Sequence, residues 1–71
     1  MKNYYYVKVI ADDYDKYDNY LCEDGVLTLY PAEMKIFDNI DDAITAKNEA
    51  LNYIRETWHD YPSEYMQIIR L

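Results

Sequence analysis

Hydrophobic and polar positions change their period along this chain, and each change marks an element. Residues 4–10 read Tyr4-Tyr5-Tyr6-Val7-Lys8-Val9-Ile10, aromatic and β-branched types that suit a pleated surface. Alternation places Tyr5, Val7 and Val9 on one side and Tyr4, Tyr6, Lys8 and Ile10 on the other. The first set is cleanly apolar, which predicts a strand with that face toward the core. Residues 11–16 are too acidic for a core strand and read as a connection. Strand character returns at 17–22, Glu23-Asp24-Gly25 supplies turn chemistry, and 26–30 returns as the partner strand. Glycine after aspartate accepts positive φ without a Cβ penalty, so 17–30 predict a β-hairpin. Pro31 lacks a backbone donor and marks a break. Beyond it, Glu33-Met34-Lys35-Ile36-Phe37 alternates polar and apolar and predicts a short fourth strand.

The period then changes from two to 3.6. Ile40, Ala43, Ile44, Lys47, Ala50, Leu51, Ile54 and Trp58 recur at three- and four-residue spacing, an apolar stripe broken only by Lys47. Asp41, Asp42, Thr45, Asn48, Glu49, Asn52 and Glu56 fall on the opposite side. Asp38 or Asn39 can cap the first turn, and Asp41 and Asp42 suit the positive end of the helix dipole. The reading is a helix over about 39–58, ended by Pro62. Residues 65–71 predict a last strand in which burial of Ile69 and Leu71 would account for the apolar end. The expected fold class is α+β: a mostly antiparallel four- or five-stranded sheet with one helix on one face, in the order β-β-β-β-α-β, as a single domain over residues 1–71.

Composition narrows the function classes. A domain this short buries only about 60% of its unfolded surface, so its stability margin is small. With ten tyrosines the chain has large rings whose hydroxyls can still reach water. Its single cysteine excludes an internal disulfide and a thiolate zinc cluster. The apolar runs are too short to span a bilayer, and the first residues lack the apolar core of a signal peptide. A cytoplasmic protein with no membrane contact is the expectation.

Fourteen acids stand against seven lysines and arginines, a net charge of −7. The densest cluster is Asp12, Asp13, Asp15 and Asp18, interleaved with Tyr14, Tyr17 and Tyr20 and continued by Glu23 and Asp24. A calcium loop counted from Asp13 finds Asp15 at its third position. It finds Asp18 where the turn glycine belongs and Asp24 where a bidentate glutamate belongs, so that pattern fails. His59 beside Asp60, with Cys22 as a nucleophile, could serve a Cys-His enzyme only with an oxyanion hole and a cleft, for which this chain has little loop. A buried thiol on a strand and a histidine at a helix end account for both residues without catalysis. No cofactor, no metal site and no catalytic residue is expected. Nor is direct nucleic-acid binding, which demands a positive field.

A negative field on a rigid scaffold fits the opposite role. In size, charge and architecture the chain resembles the small acidic single-domain inhibitors encoded by phages, the anti-CRISPR and anti-restriction type. The resemblance spans the whole chain, rests on composition, and carries over no functional residue. It implies a non-enzymatic inhibitor that occupies the nucleic-acid-binding surface of a host nuclease or defence complex. The expected partner is a protein with a basic surface, met by Asp12, Asp13, Tyr14, Asp15, Tyr17, Asp18, Glu23 and Asp24. The alternative expectation is a small assembly subunit that homodimerises through an open sheet face, where Tyr4 and Tyr6 lie, or through an edge strand.

Overall fold

Tyr5–Val9 is an inner strand, β1, in a computed structural model that describes residues 3–11 and 16–71. Asn19–Leu21 forms β2, Leu27–Thr28 forms β3 and Met66–Arg70 forms β4. They make one four-stranded sheet in the order β3-β2-β1-β4, antiparallel at every pairing. The helix α1, Ile40–Ile54, packs on one face. The α+β class read from the sequence is the class observed.

Alternation along β1 sorts its side chains as the pattern requires. Val7 and Val9 are buried and Tyr5 packs beside them, against Leu21 of β2, Met66 and Ile68 of β4, and Ala43, Ala50 and Leu51 of α1. Phe37 and Tyr61 complete this core. The hairpin forms where it was expected, though with shorter strands. Its connection is a 3-10 turn, Glu23–Gly25, in which Gly25 holds φ at 74°. Cys22 donates its N–H to the Val26 carbonyl at 2.8 Å and closes the loop. β3 stops at Thr28 because the side chain of that residue intervenes. Its hydroxyl accepts from the Tyr30 N–H at 3.2 Å and donates to the Glu33 carboxylate at 2.6 Å, ahead of a 3-10 turn at Pro31–Glu33.

The predicted fourth strand at 33–37 does not form. Tyr5 and Phe37 exchange both backbone hydrogen bonds at 2.8 Å, and Lys35 donates to the Leu21 carbonyl at 2.9 Å. Both neighbours of β1 are already strands, so the segment contributes one bridge where the ladder of β2 has ended. The helix also ends earlier than its predicted limit at 58. Asn39 caps it, its side chain accepting from the Asp41 N–H at 2.7 Å. After Ile54 the chain runs through turns. The Ile54 carbonyl takes the N–H groups of both Thr57 and Trp58 as well as the Thr57 hydroxyl. Trp58 then packs edge-on against Tyr61, centroids 4.9 Å apart, and Tyr61 likewise against Tyr65 at 5.6 Å. The Arg55 guanidinium holds this connection by donating twice to the Tyr61 carbonyl, at 3.0 and 2.8 Å.

Two expectations about burial are corrected. The line of contact along α1 runs through Ala43, Ala46, Ala50, Leu51 and Ile54, leaving Ile40 and Ile44 on its flank, 45% and 40% exposed. Small alanines bring the helix close to the sheet, and the larger isoleucines sit beside that line. Ile69 and Leu71, both expected inside, lie on the side of the sheet away from α1; Ile69 is half-buried and Leu71, past the end of β4, is 64% exposed.

Candidate functional site

One helix covers one side of the sheet, and the residues of the other side follow from register. Tyr6 and Lys8 point away from the core strip of β1, and their cross-strand partners share that direction. Lys8 stands opposite Tyr20 and Gln67, Tyr6 opposite Ile69, and Tyr20 opposite Thr28. Tyr4 and Leu71 extend the row, joined by the Leu71 N–H to the Tyr4 carbonyl at 2.8 Å. None of these residues is buried. The Tyr6 and Tyr20 rings lie 6.1 Å apart with a 48° tilt. The result is a face of tyrosine rings and aliphatic side chains with hydroxyl, amide and ammonium groups among them. Such amphipathic surface is typical of the centres of protein interfaces.

Asp18 sits at the border of this face, just before β2. One carboxylate oxygen accepts the Ala11 N–H at 2.8 Å, and the other lies 3.4 Å from the Lys8 ammonium. The Ala11 hydrogen bond is the main reason its carboxyl is held below the ordinary carboxylate value; Lys8 adds to this, and partial desolvation opposes it. Glu23 lies past the other end of β2, 3.4 Å from the Lys35 ammonium, which stands 5.4 Å from the centre of the Phe37 ring. The length of β2 therefore separates Asp18 from Glu23, and each is answered by a lysine. Tyr17 is 69% exposed. Asp12, Asp13, Tyr14 and Asp15 lie outside the described residues, as does the Asp24 side chain. Asp41 and Asp42 are exposed in the first turn of α1, on the side of the molecule away from Tyr6 and Tyr20. Asp18 thus stands apart from the acids in and just before α1, of which Asp38, Asp42 and Glu49 line one shallow pocket beside α1.

On the helix side, α1 leaves part of the hairpin uncovered. An open groove of about 890 Å³ runs between them, lined by Leu21, Val26, Leu27, Ala50, Tyr53 and Ile54 among others. The sequence reading missed it. The signal was present in Ala46 and Ala50, whose short side chains cannot fill the space beside the hairpin. Its lining is largely aliphatic and aromatic, and among the described residues no polar side chain is buried. Cys22, at the rim, is half-buried and donates its thiol hydrogen to the Val26 carbonyl at 3.0 Å. His59 is exposed in the turns after α1. Among the described residues no three histidine, cysteine or acidic side chains form a group able to hold a metal ion, and no helix is long and apolar enough to cross a membrane. Comparison of the chain with protein-family models, with curated proteins and with solved structures finds no match.

Proposed function

We propose that this chain is a non-enzymatic binding protein that docks its open, tyrosine-bearing sheet face on the basic surface of another protein. The surface that best fits a chain of net charge −7 is one that otherwise holds nucleic acid, so binding acts by occupancy. The observation that carries this reading is the sheet face itself, where Tyr4, Tyr6, Tyr20, Ile69 and Leu71 lie together with no element over them among the described residues. The two parts do different work. Distributed acids speed encounter with a positive partner, and desolvated tyrosine rings hold the complex once formed. Association therefore weakens with salt, and dissociation depends on the rings.

The test is competition for labelled duplex DNA bound to a panel of bacterial nucleases and other DNA-binding proteins, followed by fluorescence anisotropy across a salt series. The expected result is displacement from at least one of them at low ionic strength, weakened by salt. A Tyr6→Ala, Tyr20→Ala double variant should lose about tenfold or more of that activity while keeping the wild-type circular dichroism. Failure to displace DNA from any of them at low ionic strength would remove the nucleic-acid-surface reading. Undiminished displacement by the double variant would move the contact off the sheet face.

A further inference from the structure

The two edges of the sheet are not alike. β3 is two residues long and is followed within three residues by Pro31, a short edge that offers another chain little to pair with. β4 is five residues long, pairs with β1 in unbroken register and contains no proline and no lysine. Its outward groups can be identified. Leu71 donates to Tyr4, Ile10 donates to Tyr65, and Tyr5 directs both its backbone groups to Phe37, away from β4. Alternation then turns the N–H and C=O groups of Gln67 and Ile69 toward β1, and those of Met66, Ile68 and Arg70 outward. No described strand pairs with that outer row.

Charge argues for what would pair with it. In a chain of net charge −7, a second copy is repelled at most approaches. Residues 61–71 are the exception, carrying only Glu64 and Arg70 as charged side chains. The strand is also self-complementary. A two-fold axis through Ile68 sets Ile68 against Ile68 and Met66 against Arg70, a register that uses all three outward residues of each copy. Arg70 of one copy then arrives beside the exposed turn Ser63–Tyr65 of the other, which carries Glu64. Opposite charges therefore meet at both ends of the pairing.

We infer that β4 is a homodimerisation edge, joining two copies antiparallel about Ile68 into one eight-stranded sheet with the tyrosine faces on the same side. This inference stands apart from the basic-partner reading, because it uses the backbone edge and not the face. Ile68, half-buried in the isolated chain, meets its counterpart beneath the sheet, and Ile69 and Leu71 extend the open face across the axis.

Sedimentation equilibrium over a range from low micromolar to millimolar tests it. The expected result is a concentration-dependent species of twice the 8.6 kDa chain mass. Arg70→Pro removes an N–H that β1 does not use, as edge strands tolerate, and should raise the dimer dissociation constant about tenfold or more with unchanged circular dichroism. Arg70→Glu should also weaken the dimer, and the double change Glu64→Arg, Arg70→Glu should restore it. Tyr20→Ala, two strands away on the face, should leave the constant unchanged. A monomer throughout the range would overturn the proposal. So would a dimer indifferent to Arg70→Pro and to the charge exchange, or one abolished by Tyr20→Ala.

Discussion

Met66 has no exposure to water and Ile44 keeps 40%, although both are medium-sized aliphatic positions that a pattern of spacings treats alike. Met66 lies where β4 meets α1 and the Tyr61 ring, so truncating it leaves a cavity ringed by side chains that cannot all move in. Ile44 stands beside the contact line of α1, and most of what alanine would remove there is already in water. Met66→Ala should therefore cost about 2–5 kcal/mol, enough to threaten a domain this small. Ile44→Ala should cost about 1 kcal/mol or less, offset in part by the better helix propensity of alanine. Urea titrations of the two variants decide the matter, and equal losses would mean that Ile44 is as deeply packed as its spacing suggested. The same contrast explains which residues could be read in advance. Val7 and Val9 were legible because a strand offers only two faces. On a helix the stripe is broad, and spacing cannot say whether Ala43 or Ile44 lies on its axis.

Elements with one strong local cause were legible, and those decided by competition were not. The hairpin formed around Gly25 because its positive φ suits glycine, and α1 began at Asn39 because a side-chain acceptor was available there. The fourth strand shrank to a single bridge for a reason outside its own residues: β2 and β4 flank β1, and only the stretch at Tyr5, beyond the end of β2, is left for Phe37. The C-terminal end of α1 likewise depended on Trp58 finding Tyr61. The candidate site divides in the same way. That the tyrosines of β1 would line an open face could be read from alternation and a single helix. The pairing of Asp18 and Glu23 with lysines distant in sequence could not. Asp18 ties the start of the β1–β2 connection to β2, and its lowered pKa gives that tie a pH signature. A carboxyl with a depressed folded value contributes stability above its unfolded value, about pH 4, and loses it as pH falls through the folded value. Asp18→Asn keeps an acceptor for Ala11 and removes the titration. Thermal melts should show the wild type ahead of the variant at neutral pH, with the gap closing below about pH 4. A gap constant across that range would mean that the carboxylate charge has no part in the tie.

At the scale of the whole molecule, fourteen acids on 71 residues set a field that no single pairing determines. The ion pairs of Asp18 and Glu23 with Lys8 and Lys35 leave those two acids partly compensated. If a negative field steers the chain to a basic partner, the uncompensated carboxylates should dominate its rate of arrival. Replacing Asp12, Asp13, Asp15 and Asp18 together by asparagine should leave the fold intact, since relieving repulsion in so acidic a chain offsets the loss of one exposed ion pair. Displacement of DNA from a responsive protein should slow about tenfold or more, through association and not dissociation, and its salt dependence should flatten. A second variant, Asp12→Asn, Asp13→Asn, Asp15→Asn with Asp18 kept, separates the charge of the cluster from the tie that Asp18 makes with Lys8 and Ala11. Stopped-flow association rates for the two variants, with circular dichroism on each, separate the outcomes. Unfolding of the four-site variant but not the three-site one would make Asp18 structural. Undiminished association by both would show that steering comes from elsewhere on the surface, with Asp41 and Asp42 at the start of α1 the next residues to neutralise.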